Sequence, residues 1–158
     1  MFGLLLLVNL ERDKAGGYAM ELNHTAQLRL VDAALPLMPP GGTAVFVTSH
    51  LAHFHGQKSV YMHYEPVAAS KHAGEQALRA RSGELAQRGI RLLVVSGDVI
   101  EGTITPRLME RIEPGIIDRR RAQAGALPTI DDFARAIVDA AFDASLDNGA
   151  TVYVGAVD

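Results

Sequence analysis

Apolar positions along this 158-residue chain fall into two patterns. Three short runs, Leu4 to Val8, Ala44 to Thr48 and Leu92 to Val95, are almost wholly apolar and partly β-branched, the pattern of strands buried on both faces. A fourth run, Thr151 to Val154, follows the turn signal Asn148-Gly149. Between the runs, apolar residues recur three and four apart. Ile130, Phe133, Ala134, Ile137, Val138, Ala141 and Phe142 make one such stripe, and Thr129 with Asp132 marks its start as a variant capping box. A second helix is predicted over 18–38, with Ala26, Leu30, Val31, Ala34, Leu35 and Met38 on one side and Pro39-Pro40-Gly41-Gly42 as its stop. A third spans 64–88 and ends near Gly89, with Pro66 in the first turn, where a missing N–H costs little.

The order strand, helix, strand, helix, strand, variable segment, helix, strand calls for right-handed crossovers. It therefore predicts an α/β fold, a parallel sheet of about four strands flanked by helices on both faces. No linker, repeat or low-complexity tract divides the chain, so residues 1–158 are expected to form a single domain. Ligands of such sheets bind beyond the carboxyl ends of the strands, which puts Asn9, Ser49 and the Ser96-Gly97-Asp98 turn on the functional edge.

Composition narrows the partners. A net charge of −3 and a pI near 6.0 give no electrostatic footprint for nucleic acid or an anionic membrane. The one basic run, Arg119-Arg120-Arg121, is expected on a solvated face of a short helix. The absence of cysteine excludes disulfides, thiolate metal sites and a cysteine nucleophile, and suits a reducing cytoplasm. The apolar stretch Phe2 to Val8 is far shorter than the roughly 20 residues that span a bilayer. It also lacks the preceding cations of an export signal.

The chemistry-bearing residues cluster at the strand ends. They are Asn23 in Leu22-Asn-His-Thr25, Ser49 in Val47-Thr-Ser49, Lys71 at the end of Tyr61-Met-His-Tyr-Glu-Pro-Val-Ala-Ala-Ser-Lys71, and the stretch Val95 to Thr105. In this arrangement residues 4–155 resemble the second half of the short-chain dehydrogenase/reductase family. The resemblance implies a partial Rossmann-like fold and hydride transfer between NAD or NADP and a carbonyl or secondary alcohol. Ser49 would hydrogen-bond the carbonyl oxygen, and a phenol beside the Lys71 ammonium would donate the proton. Asn23 would complete the catalytic set. Asn9, Lys71, Gly97, Val99 and Thr103 would hold the nicotinamide end of the cofactor, with Thr105 an alternative to Thr103.

The chain departs from the family pattern in three places. Four residues before Lys71, where the tyrosine belongs, stands Val67, which cannot transfer a proton. Tyr64 lies seven residues before Lys71, two turns along the same face, and Tyr61 falls in the preceding loop; either can serve as acid, or both can merely pack or line a cleft. Ser96 replaces the proline of the turn, and no Gly-x-Gly-x-x-Gly occurs; Ala15-Gly16-Gly17 is no substitute. Three readings stay open: a reductase using Tyr64, a noncatalytic scaffold of the same lineage, and a fragment that needs a missing N-terminal half.

Other constellations are weaker. His50, His53, His55 and His63 crowd one loop without a His-Glu-x-x-His helix, and they are expected to be exposed or cleft-lining; no metal is assigned. Asp98 and Glu101 could act as an acid–base pair, but turn-forming, solvated carboxylates are the expectation. No Gly-x-Ser-x-Gly elbow surrounds Ser49. Leu4 to Val8 as an uncovered edge strand invites pairing with another chain. The helices at 18–38 and 64–88 look like those that build oligomer interfaces in the family, so a homo-oligomer is expected.

Overall fold

The structure, a computed structural model, describes residues 12–157. The Leu4 to Val8 run and Asn9 lie outside the described residues, so the sheet seen has three strands instead of about four. They are β1 (Thr43–Ser49), β2 (Arg91–Gly97) and β3 (Thr151–Val154), all parallel, in the order β1-β2-β3. Thr48, Ser96 and Tyr153 stand side by side in register across them.

β2 is central, and its side chains divide between two cores as the period of two requires. Leu92 and Val94 join Leu35, Phe46, Leu78, Leu85 and Ile90 on one face. Leu93 and Val95 meet Ala140, Phe133 and Ile137 on the other. This is why the run reads as continuously apolar.

Helices α4 (Glu65–Ala80) and α5 (Ser82–Gln87) occupy the expected 64–88 segment, broken at Arg81, where φ −92° and ψ 0° leave the helical basin. Arg81 is held there by Asp32 and Glu84. The expected 18–38 helix begins earlier and changes pitch. It runs as α1 (Arg12–Met20), a π-helical turn (Glu21–Thr25), α2 (Ala26–Ala34) and a 3-10 turn (Leu35–Leu37). Short α3 (His50–His53) follows β1. A further pair, α6 (Ile104–Ile112) and α7 (Ile116–Ala124), follows β2, and α8 (Ile130–Phe142) covers the second face. The Thr129/Asp132 capping box at the start of α8 forms as the sequence predicts. Among the described residues no helix is long and apolar enough to cross a membrane.

Two features fix α4. The first is steric. At Gly74 an added Cβ would lie 2.1 Å from the backbone oxygen of Asn23, inside the π turn, so the two helices touch backbone to backbone. The second is a buried polar network. Glu75, fully buried, takes hydrogen bonds from His53 Nδ1 (2.7 Å) and Arg79 Nε (2.9 Å) on one carboxylate oxygen. Arg79 continues to the Gly149 carbonyl and Thr151 Oγ1, and His53 Nε2 meets the Tyr153 hydroxyl at 2.9 Å. The network thus joins α3, α4 and β3.

His50 is buried nearby with Nδ1 2.8 Å from Ser96 Oγ. Burial pulls its pKa down to about 4, offset only in part by the Asp98 carboxylate.

Gly74→Ala is expected to destabilise the fold by about 2–3 kcal/mol, because the clash is with backbone that has no rotamer to escape into; thermal denaturation of the variant measures this. His50 makes stability pH-dependent. Its folded pKa lies below the ordinary 6.5, so the unfolded chain takes up a proton that the folded chain refuses as pH falls. The contribution is complete above about pH 6.5 and declines by about 3 kcal/mol on the way to pH 4. Urea titrations at pH 7, 5.5 and 4 should show this decline, and His50→Gln should flatten it.

Candidate active site

The site grows from the carboxyl end of β1. Ser49 ends the strand in extended geometry and caps α3, its Oγ accepting from the Ala52 N–H at 3.4 Å. The chain then loops back, and a turn in which the Tyr64 N–H donates to the Tyr61 carbonyl (2.8 Å) delivers it to α4. Tyr64 is the residue that opens α4, with Pro66 in the first turn as the sequence predicts. This entry brings the Tyr64 hydroxyl to 3.3 Å from Ser49 Oγ, with either able to donate.

Ser49, Tyr64 and Lys71 line a single cavity of about 570 Å³ at the carboxyl ends of β1 and β2, within the size range of small-molecule sites. Gly97, Val99 and Thr103 line it too, and so does Thr105. Asn9 lies outside the described residues. Val67 is buried at 3% exposure and is not among the lining residues, whereas Tyr64, one turn earlier, is. Tyr61 also faces the cavity, but it packs on the apolar Met109, Ile116, Ile117 and Leu127 cluster, and burial pushes its phenol pKa up.

Asn23 does not line the cavity. Its Nδ2 donates to Ser70 Oγ at 3.0 Å, and Ser70 donates to the Val67 carbonyl at 3.0 Å, so Asn23 grips α4 one residue before Lys71. Thr103 Oγ1 donates to the Ile100 carbonyl, leaving its oxygen able to accept, and the Val99 N–H donates to Asp98 Oδ1.

Two expectations are corrected. Arg120 is not on a solvated face; its side chain is 15% exposed and grips Asp98, itself 5% exposed, from Nε (3.0 and 3.2 Å) and Nη2 (2.8 Å). Asp98 is therefore no solvated carboxylate. Arg119 and Arg121 do sit at the surface, the latter paired with Glu101 and Asp118. Sequence reasoning missed the Asp98–Arg120 pair because 22 residues separate its members, and it missed Lys58, Ala156 and Val157 as cavity walls. The histidines are engaged locally: His50 and His53 as described, and His55 Nε2 with Glu65 at 2.7 Å, while His63 is exposed. Among the described residues no cluster of three or more His, Asp or Glu could hold a metal ion.

The residues present suit the nicotinamide end of a dinucleotide: an ammonium, two hydroxyls and a threonine oxygen line a cavity whose walls also carry apolar side chains such as Val47, Val99, Ile130 and Phe133.

A family model described as "Enoyl-(Acyl carrier protein) reductase" matches residues 9–156. Among solved structures, a short-chain dehydrogenase/reductase family oxidoreductase from Burkholderia thailandensis is 19% identical with a TM-score of 0.75, over 94% of this chain and 57% of that one. The NADH-dependent enoyl-[acyl-carrier-protein] reductase of Aquifex aeolicus is 21% identical (TM-score 0.66; 94% and 53% covered). A gluconate 5-dehydrogenase from Burkholderia cenocepacia, solved with NADP and tartrate, is 20% identical (TM-score 0.72; 92% and 56% covered). The chain thus spans little more than half the length of these structures. No curated protein sequence matches it. With the family match running over nearly all its residues and the same fold in the neighbours, the chain belongs to the short-chain dehydrogenase/reductase family.

Proposed function

We propose that this chain forms the catalytic half of a nicotinamide-dependent oxidoreductase acting on a carbonyl or secondary alcohol, with Tyr64 in the acid role. The observation that carries this is the 3.3 Å approach of the Tyr64 hydroxyl to Ser49 Oγ in the cavity that Lys71 also lines. The position that the family gives to its tyrosine is here a buried valine, and the neighbouring turn supplies a phenol in its place.

A nicotinamide, when bound, supplies or accepts the hydride. Lys71, Gly97, Val99 and Thr103 would hold it. Ser49 donates a hydrogen bond to the substrate oxygen and so stabilises the negative charge that develops there. Tyr64 gives that oxygen its proton in reduction and removes it in oxidation, with Lys71 lining the same cavity. NADH and NADP both occur among the neighbours, which leaves the cofactor choice to measurement.

Exposed apolar side chains on the first helical layer, Leu30 at 64% and Leu37 at 84%, support self-association through that face. Light scattering at micromolar concentration should give a mass above that of one chain.

The functional reading is tested by calorimetric titration of the folded chain with NADH and NADPH, followed by turnover on a carbonyl panel. Micromolar binding of one nucleotide is expected. Tyr64→Phe should leave that affinity within about twofold while cutting kcat by about 10²-fold or more, the usual weight of a proton-transferring group. Undiminished turnover in the variant would remove Tyr64 from the acid role, and a folded chain that binds neither nucleotide would favour a noncatalytic scaffold or a fragment awaiting its other half.

A further inference from the structure

The cavity has a wall that neither the family pattern nor the motifs foreshadow. After β3 the chain turns at Gly155, in the left-handed region at φ +94°, and passes so close to the end of β2 that an added Cβ would meet Asp98 Cβ at 2.6 Å. Ala156 and Val157 then line the cavity. Two cations reach this segment. Arg120, on α7, donates from Nη2 to the Ala156 carbonyl at 3.0 Å, and Lys58, on the loop before α4, donates to the Val157 carbonyl at 2.5 Å.

Arg120 can do this because Asp98 fixes it. The carboxylate takes Nε and Nη2 side on, an arrangement that only a planar guanidinium offers, and leaves Nη2 aimed at the Ala156 carbonyl. One side chain therefore joins α7, the end of β2 and the segment after β3. Arg121 adds a separate tie from α7 to Glu101, but both partners are exposed.

We propose that Arg120 is a positioning residue: held by Asp98, it clasps α7 to residues 155–157 so that Ala156 and Val157 stay in place as a specificity-determining wall of the cavity. The clasp itself follows from the geometry of the pair. Its effect on substrate choice rests on reading the cavity as the reductase site.

The test is hydrogen–deuterium exchange on the full chain, comparing wild type with Arg120→Lys, Arg120→Met and the double variant Asp98→Asn/Arg120→Met. Loss of the clasp should speed exchange in 116–124 and 155–157 by about tenfold while leaving α4 and β2 unchanged, because the opening is local. Arg120→Met is expected to show this. If the unpaired Asp98 instead unfolds that variant, exchange rises everywhere and the double variant, which buries no lone charge, decides. Arg120→Lys should recover part of the protection, since the ammonium keeps the charge but lacks the fork. Methionine offers a stem of similar length, so protection retained in both Met variants would reduce Arg120 to a packing residue and overturn the proposal. So would a uniform rise in the double variant.

A kinetic readout separates the two levels of inference. On a substrate that wild type turns over, Arg120→Lys should raise KM about fivefold with kcat within twofold; an unchanged KM would overturn the specificity role. If exchange changes as expected but no variant, wild type included, turns over any substrate, the clasp stands and the reductase reading falls.

Discussion

The backbone contact between Gly74 and Asn23 is the constraint on which the rest of the site depends. Tyr64 opens α4 and Lys71 sits two turns along it, so the height and rotation of that one helix set where both groups stand relative to Ser49 on β1. The contact with the π turn fixes the height. Rotation is fixed by groups that must find partners in the interior: Ser70 with Asn23, and Glu75 with His53 and Arg79. A buried carboxylate in an apolar sandwich carries a desolvation cost that only well-placed donors offset, so α4 tolerates few alternative orientations. Asn23 thus acts on the site through helix placement, one residue from Lys71, with its side chain outside the cavity.

Much of the fold could be read from residues alone because its signals are local or periodic. β2 is apolar on both faces because it has a helical layer on each, and the Thr129 capping box needs only four consecutive residues to declare itself. The π turn could not be read in this way. Nothing in Glu21–Thr25 favours it over an ordinary α turn; it is stabilised by a glycine some 50 positions later, a tertiary fact. The break at Arg81 is similar, since Asp32 on another helix shares in holding it. The candidate site divides along the same line. Ser49 and Gly97 could be placed as strand ends and Tyr64 with Lys71 by helix spacing, Val99 and Thr103 only through the family resemblance, whereas the partnership of Asp98 with Arg120 turns two residues expected at the surface into a buried pair.

Tyr64 lies where helix meets loop, and this has a consequence for how such a site can vary. In an arrangement with acid and ammonium four residues apart inside one helix, their separation is locked by helical pitch. Here the lysine belongs to the helix, while the phenol is delivered by the turn that starts at Tyr61. The orientation of the phenol therefore depends on that turn, through the Tyr61 carbonyl that takes the Tyr64 N–H. Substitutions in that turn would re-aim the Tyr64 hydroxyl while Lys71 kept its place on the helix, so the position of the phenol and that of the lysine can vary separately.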